Sequence, residues 1–238
     1  AERFARERAE AFAVVASHPR VDAIEEMPKL RAIIEVAGRL PAADQLDYAA
    51  CFRHGVHVLS VAPAFAPMVA EMAVGMTLAA AREIAEGDAA FRRGDERYLH
   101  AGNATTVSLL GAPIGFVGYG NLARAIRRLL APFGGRVLAY DPWLPDAILR
   151  DEGIEPAPLE TVLREARAIF VVAIATQENA GLVSREMLEL LHPDAVLALM
   201  SRAHVVDFGA LTELLLAGRF RAAIDVFPEE PVPAEHPI

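Results

Sequence analysis

From Pro113 to the end of the chain, short apolar runs alternate with segments whose apolar residues recur at helical spacing. The runs are continuous rather than alternating, which is typical of strands buried on both faces of a parallel sheet. The predicted strands are PIGFVGY, RVLAY, AIFVVAIA, AVLALM and AAIDVF, and the predicted helices are Asn121 to Pro132, two short stretches after RVLAY, Ser184 to Leu191 and Phe208 to Ala217. Because each strand is followed by a helix, the pattern predicts an α/β fold with a doubly wound parallel sheet.

The first half of the chain repeats this alternation on a smaller scale. Its candidate strands are AFAVVAS, RAIIEVA and VHVLSVA, with short helices after Val21 and around Asp47 to Phe52. A long apolar helix is predicted from Met68 to about Glu86, and the charged, glycine-containing segment EGDAAFRRGDERYLHAGN follows it. We expect residues 1–72 to form a smaller α/β domain and residues 73–238 to form the larger one.

A glycine-rich turn connects the first strand of the larger domain to its helix. Gly118, Gly120 and Ala123 match the spacing of a dinucleotide-binding loop, in which the glycines allow a tight turn and a close approach to a pyrophosphate. Asp141 lies 18 residues after Ala123, at the end of RVLAY, where an acidic residue binds the ribose hydroxyls. A carboxylate there repels a 2′-phosphate, so NAD is favoured over NADP. A tight turn with a coincidental aspartate is the alternative.

The charge balance limits the possible partners. The formal net charge of −9 and the lack of a basic stripe argue against nucleic-acid binding. Arg124, Arg127 and Arg128 recur at helical spacing, and we interpret them as a solvated helix face.

Cysteine and histidine usage points to an intracellular protein without a metal centre. Cys51 is the only cysteine, so the chain has neither an intramolecular disulfide nor a thiolate cluster, and the histidines show no metal-ligand spacing. We expect a cytoplasmic location, since no targeting signal is seen. The segment Met68 to Ala81 contains Glu71 and is shorter than the roughly 20 apolar residues that span a bilayer. We therefore expect a core or interface helix and no membrane partner.

Two polar features follow predicted strands, at the edge where open α/β sheets bind ligands. Arg202 follows AVLALM, and an arginine fork there suits a carboxylate or a keto oxygen. Asp225 ends AAIDVF, and a proline-bounded loop carrying Glu229 and Glu230 comes next. Taken alone, each feature is ambiguous.

Four motifs together resemble one protein family. GYGNLA with Asp141, SRAHVVDFGAL, AIDVFPEEPVPAEHPI and the upstream PMVAEMAVGMTLAAARE are similar, in this order and over nearly the whole chain, to the NAD-dependent D-isomer-specific 2-hydroxyacid dehydrogenases. The resemblance implies a Rossmann-like NAD domain beside a smaller flavodoxin-like substrate domain. It also implies hydride transfer between NAD(H) and a small 2-hydroxy or 2-keto acid, of the phosphoglycerate, hydroxypyruvate or glyoxylate, or D-lactate type.

The resemblance further implies roles for individual residues. Arg202 would bind the carboxylate and carbonyl of the substrate, and Glu230 would orient a catalytic histidine. The implied cofactor contacts are Gly118, Gly120, Asn121 and Leu122 at the pyrophosphate, Asp141 at the ribose, and Ala173, Met200, Ser201, Arg202 and Asp225 near the nicotinamide.

The catalytic histidine is the main departure from the family pattern. In the family it lies in a TPH segment beyond the EP motif, and this sequence ends at Ile238. His236 follows Glu230 by six residues, but EHPI resembles an element that precedes that segment. We therefore expect the proton-donating histidine beyond Ile238, in a longer chain; a shortened, inactive relative would look the same.

Two other functions remain open. A catalytically silent, NAD-sensing regulatory protein of the same family would keep the glycine loop and Asp141. A methyltransferase also uses a glycine-rich loop and an acidic ribose ligand, but it would not explain Arg202 and Glu230 in these motifs. The apolar helix around Met72 to Ala80 suggests a homodimer.

Overall fold

The computed structural model describes residues 7–238 except 18, 20, 22–23, 38–39, 42, 44, 175 and 177. The chain divides into two compact units, Ala1–Pro67 and Met68–Ile238. The strands are β1 Ala13–Ala16, β2 Ala32–Glu35, β3 His57–Ser60, β4 Ile114–Val117, β5 Val137–Tyr140, β6 Glu155–Pro156, β7 Ala168–Val171, β8 Val196–Leu199 and β9 Arg221–Ile224. The α-helices are α1 Tyr48–Arg53, α2 Ala62–Ala81, α3 Ile84–Arg93, α4 Leu99–Asn103, α5 Asn121–Leu130, α6 Asp146–Asp151, α7 Leu159–Glu165, α8 Arg185–Leu188 and α9 Phe208–Leu216. Short 3₁₀ helices cover Arg8–Glu10, Ile24–Glu26, Ala131–Phe133 and Ala203–Val205.

The first unit contains a three-stranded parallel sheet in the order β1-β2-β3. Ile33 on the central strand is fully buried, and it packs in a small apolar core with Ile24, Leu30 and Cys51. The side chains of β1 and β3 alternate between exposed and half-buried positions, so of the three strands only the central one contributes fully buried side chains.

The second unit contains a six-stranded parallel sheet in the order β6-β5-β4-β7-β8-β9. The chain begins at the centre with β4, builds outward to β6, then crosses over and builds outward in the other direction to β9. All four residues of β4, β7 and β8 are buried, because helices cover both faces of the sheet. The rings of Phe116 and Phe170 stack 5.5 Å apart in this core. The α/β class with parallel sheets is therefore confirmed.

Helix α2 differs from the sequence prediction at its start. It begins at Ala62 and continues through Pro67, whereas we predicted a start at Met68. Proline is typical of a first helical position, but Pro67 lies inside this helix. Here its missing N–H removes only one hydrogen bond close to the start of a long helix. The observed 20 residues also remove the length argument against a membrane helix, because α2 is long and apolar enough to cross a bilayer by length and composition. Of the 18-residue stretch that meets these criteria, 28% is buried.

The end of α2 is also earlier than predicted. The helix stops at Ala81, and Glu83 adopts left-handed backbone with φ 52° before α3 begins, so Gly87 and Phe91 are helical rather than part of an irregular linker. The Glu83 carboxylate accepts hydrogen bonds from Arg221 Nη2 (2.8 Å) and Thr105 Oγ1 (2.9 Å). These long-range contacts hold the break, and nothing local in the sequence announces it.

Candidate cofactor and substrate site

The strand register brings five strand ends to one edge of the larger sheet. Val117 pairs with Tyr140 on one side and Val171 on the other, and Leu199 pairs with both Val171 and Ile224. The residues that follow these strands are Gly118, Asp141, Val172, Met200 and Asp225. The carboxyl edge therefore collects the glycine loop and both predicted polar segments around the point where the strand order reverses, which is where ligands of such sheets bind.

The two loop glycines have different surroundings. Gly118 has φ +87°, and a Cβ atom there would lie 2.5 Å from Ala173 Cα, so only glycine lets the loop pack against the end of β7. A Cβ on Gly120 would meet nothing within 4 Å. Gly120 is the N-cap of the ten-residue helix α5, and among the described residues no side-chain cap is found at this helix end. The open space in front of its free N–H groups fits a phosphate.

Asp141 is fixed by three backbone N–H groups. Its Oδ2 accepts from Tyr119 N (2.7 Å), and its Oδ1 accepts from Trp143 N (2.9 Å) and Leu144 N (3.2 Å). A carboxylate has about four acceptor positions, so it can still accept from a ribose hydroxyl. The neighbouring Trp143 is 72% exposed. Its indole therefore does not pack in the interior.

Three of the predicted contacts next to the nicotinamide, Ala173, Met200 and Ser201, come just after β7 and β8. Ala173 and Met200 are buried at the carboxyl edge, with 8% and 5% of their surface exposed. Ser201 Oγ is also buried, and it has no hydrogen-bond partner among the residues that the structure describes. A buried hydroxyl without a partner is unfavourable, so a polar ligand group at this edge would satisfy it. Asn121 and Leu122 occupy the first turn of α5. The donors and spaces present therefore fit a dinucleotide.

Arg202 leaves the sheet immediately after this buried segment. Its side chain is exposed, and its Nη1 donates to the Ser201 carbonyl at 2.6 Å. The other guanidinium N–H groups remain available for an anion in front of the edge. The 3₁₀ helix Ala203–Val205 follows, with Ala203 and Val205 buried, so the backbone behind Arg202 is anchored.

The segment after β9 places two carboxylates near each other. Glu230 Oε1 accepts a hydrogen bond from Phe227 N at 3.0 Å, which folds the acidic loop back on itself. Partial burial and the negative charge of Glu230 raise the pKa of Asp225. His236 packs edge-on between the rings of Phe208 and Phe227, and its Nδ1 lies 3.1 Å from the Ile238 carbonyl oxygen.

Two of the three arginines on α5 were interpreted wrongly. Arg124 Nε donates to Glu152 Oε1 at 2.9 Å, and Arg127 Nη2 donates to the Glu152 carbonyl at 2.6 Å. Only Arg128 is exposed, as expected for a solvated face. Glu152 also accepts a hydrogen bond from the Tyr119 hydroxyl, 3.2 Å away. The sequence analysis did not identify Tyr119 or Glu152. The one sign in the sequence was the position of Tyr119, a bulky residue between the two loop glycines.

A metal centre was not expected. Among the described residues, no group of three histidine, cysteine or acidic side chains is arranged to hold a metal ion.

The comparisons with known proteins agree with this geometry. Residues 74–238 match the family model of the D-isomer specific 2-hydroxyacid dehydrogenase NAD binding domain. The chain is 31% identical over 220 residues to D-3-phosphoglycerate dehydrogenase of Methanocaldococcus jannaschii, a match that covers 91% of this chain and 40% of that protein. It is 31% identical over 221 residues to hydroxypyruvate reductase of Thermotoga maritima, covering 92% of this chain and 69% of that protein.

A solved structure of a phosphoglycerate oxidoreductase from Rhizobium etli is also similar. It superposes with a TM-score of 0.83 and 41% sequence identity, covering 95% of this chain and 69% of that one. This chain therefore spans less than half of the matched phosphoglycerate dehydrogenase and about two thirds of the shorter relatives. Because the matched model is that of an NAD-binding domain, NAD is the cofactor of this part of the chain.

Proposed function

We propose that this chain, which belongs to the D-isomer specific 2-hydroxyacid dehydrogenase family, acts as an NAD-dependent oxidoreductase that transfers a hydride between NAD(H) and a small 2-hydroxy or 2-keto acid. The observation that carries the proposal is the common edge formed by Gly118, Asp141, Met200 and Asp225, with Arg202 beside it. The relatives named phosphoglycerate dehydrogenase and hydroxypyruvate reductase support a substrate of that size, with or without a phosphate.

In this proposal the loop and the strand ends hold the cofactor. Gly118, Gly120, Asn121 and Leu122 surround the pyrophosphate, and Asp141 accepts from the ribose hydroxyls. The residues assigned next to the nicotinamide are Ala173, Met200, Ser201, Arg202 and Asp225. The free N–H groups of α5 and the unpaired Ser201 hydroxyl support these assignments. When bound, NAD(H) supplies or accepts the hydride.

Arg202 and Glu230 are the proposed catalytic residues. Reduction of a 2-keto acid develops negative charge on the carbonyl oxygen, so a fixed cation stabilises the transition state more than the ground state. Arg202 presents this cation and can also pair with the substrate carboxylate. Glu230 orients a proton-donating histidine, because a neighbouring carboxylate fixes the tautomer and raises the pKa of an imidazole.

We assign residues 1–72 to a flavodoxin-like, substrate-binding domain and residues 73–238 to NAD binding. The parallel sheet of β1, β2 and β3 supports an α/β substrate domain. The family model begins at residue 74, which supports the second assignment. Proteolysis that separates the two domains should leave NADH binding with the second fragment and abolish turnover.

The test is oxidation of NADH by the natural full-length protein and by residues 1–238 in parallel, against 2-keto acids with and without phosphate. Turnover that is lost on Arg202 substitution supports the dehydrogenase. NADH binding with no turnover of any acid by either form contradicts it and favours a silent NAD sensor. A His236→Asn variant locates the proton donor, since lost turnover assigns the role to His236 and unchanged turnover assigns it elsewhere.

We further propose that the protein is a homodimer that pairs through α2. Met68 and Met72 are 59% and 57% exposed on this apolar helix, and a covered surface suits such side chains better than water. Light scattering in detergent-free buffer should give twice the mass of the chain, and Met72→Glu should shift it to the monomer. A monomeric mass, or a requirement for detergent, contradicts the proposal.

A cytoplasmic location completes the proposal. The single cysteine, Cys51, is buried and unpaired with another cysteine, as suits a reducing compartment. Fractionation of cells that express the natural protein should recover it in the soluble cytoplasmic fraction, and recovery with membranes contradicts this location.

A further inference from the structure

We propose that Glu152 is a positioning residue for the cofactor, because it holds Tyr119, the residue between the two loop glycines, in the conformation that NAD requires. Glu152 lies at the end of α6 and has no place in the assigned cofactor contacts. We call Tyr119, Arg124, Arg127 and Glu152 the Glu152 clamp. The inference rests on the NAD binding proposed above.

Every polar group of Tyr119 is bound. Its N–H donates to Asp141 Oδ2 (2.7 Å), its carbonyl accepts from Arg124 Nη1 (3.3 Å), and its hydroxyl donates to Glu152 Oε2 (3.2 Å). The side chain is fully buried and packs edge-on against Phe116, with ring centroids 5.6 Å apart. Tyr119 therefore connects the proposed ribose ligand at one end to Glu152 at the other.

Glu152 is itself held from two directions by α5. Arg124 Nε binds the Glu152 carboxylate, and the Arg124 guanidinium also lies over the Tyr119 ring, 5.2 Å from its centroid. Arg127 holds the main-chain carbonyl of Glu152. Helix α5, which begins at the glycine loop, is thereby linked to Glu152, which in turn binds the side chain of Tyr119 in that loop.

The Glu152 clamp is better suited to positioning the glycine loop than to stabilising the fold as a whole. The side chains of Arg124 and Glu152 are 31% and 33% exposed, and ion pairs that water reaches contribute little to folding. The loop that they hold contains two glycines, whose backbone would otherwise lose much freedom when a ligand binds. Fixing the loop beforehand removes that loss from the binding step and strengthens binding.

The test compares variants of Glu152 and Tyr119 by calorimetric titration with NADH and with reduced nicotinamide mononucleotide, which lacks the adenosine monophosphate half. Glu152→Ala should weaken NADH binding about tenfold, and Glu152→Gln, which keeps an acceptor for the tyrosine hydroxyl, should restore most of it. Mononucleotide binding should weaken much less, because the mononucleotide lacks the ribose that Asp141 is proposed to bind and keeps only one of the two phosphates at the loop. A role in folding alone would lower both affinities together.

Two further variants sharpen the test. Tyr119→Phe in the Glu152→Ala background should add nothing, because both changes break the same contact. Asp146→Asn breaks the exposed Arg150–Asp146 pair on the same helix, and it should leave NADH binding unchanged.

The outcomes are distinct. A selective loss of NADH affinity in folded Glu152→Ala, restored by Glu152→Gln, supports the proposal. NADH affinity within about twofold of the unaltered protein in both variants overturns it, whatever happens to the melting temperature. Failure of the unaltered protein to bind NADH overturns the proposed function itself.

Discussion

The glycine loop and the segment around Arg202 lie on the same sheet edge, but they are built differently. In the loop, Tyr119 is fully buried and all of its polar groups are bound. Arg202 is exposed, and the hydrogen bond recorded for its side chain is to the carbonyl of its own neighbour. The protein's own contacts therefore hold the proposed cofactor half of the site, whereas the proposed substrate half is an exposed cation with one local hydrogen bond.

This difference separates two kinds of substitution. Changes in the loop should affect folding or NADH affinity. Changes at Arg202, which is only one of five residues assigned next to the nicotinamide, should lower turnover far more than they lower NADH affinity or stability.

The largest effect is expected at Arg202. Replacing it with glutamine should lower kcat/KM for a 2-keto acid by roughly 10²- to 10³-fold, because the developing oxyanion loses its cation. Steady-state kinetics and NADH titration measure this, with exposed Arg128→Gln as the control. An equal fall in NADH affinity would break the comparison, because the contact of Arg202 with the cofactor would then account for the whole loss.

A substitution at Gly118 should act on the fold itself. In Gly118→Ala the new Cβ meets Ala173 Cα at 2.5 Å, at a residue with φ +87°, so we expect a loss of about 2–4 kcal/mol in the free energy of unfolding. Gly134→Ala isolates the backbone part of this loss, because Gly134 has φ +70° and open space around it. Equal urea midpoints for the two variants would show that Gly118 is not packed tightly against Ala173.

High pH tests the buried end of the clamp. Burial, followed by the charge of Glu152, raises the pKa of Tyr119 to about 12 from 10.0. Between these values the unfolded chain loses the phenol proton while the native protein keeps it, so stability present below about pH 10 declines as the pH approaches 12, by about 2 kcal/mol. Urea unfolding should show this decline in the unaltered protein and a smaller one in Tyr119→Phe. Equal declines in stability for the two proteins would show that the Tyr119 hydroxyl is exposed to water in the native protein.

The smallest effect is expected at Gly120. A Cβ there meets nothing in the protein, so Gly120→Ala should unfold like the unaltered protein yet bind NADH roughly tenfold more weakly, about 1.4 kcal/mol, because the methyl group enters the pyrophosphate space. Gly87→Ala on α3 is the matched control and should leave NADH affinity unchanged. Unchanged NADH affinity in Gly120→Ala would sharpen the comparison, because Gly120 would then have no part in the proposed cofactor half, leaving Gly118 and Asp141.

The regular part of this architecture could be predicted from the sequence. Continuous apolar runs identify buried parallel strands, and the spacing of Gly118, Gly120 and Asp141 follows from one strand, turn and helix. Each of these features depends on residues close together in the sequence, or on a strand and helix pattern that recurs along the chain. The predicted strands of both units agree with the structure, apart from the two-residue strand β6, which is too short to have a pattern.

The remaining features depend on contacts between distant residues. The Tyr119–Glu152 hydrogen bond joins residues 33 positions apart, and an isolated pair of this kind leaves no periodic signal. For the same reason Arg124 and Arg127 looked like a solvated face, since their spacing cannot reveal a carboxylate on another element. The start of α2 also depends on more than local sequence, because Pro67 lies inside this helix although proline favours a first helical position.

The left-handed backbone conformation of Glu83 limits the substitutions that this position can accept during evolution. A mutation to glycine would relieve about 1–2 kcal/mol of backbone strain. It would also delete the carboxylate that joins Thr105 and Arg221, which lie 22 and 138 residues further along the chain, and each hydrogen bond to a charged group contributes about 1.5–3 kcal/mol. The strained glutamate is therefore a local optimum, and we expect Glu83, Thr105 and Arg221 to be inherited or replaced as a set.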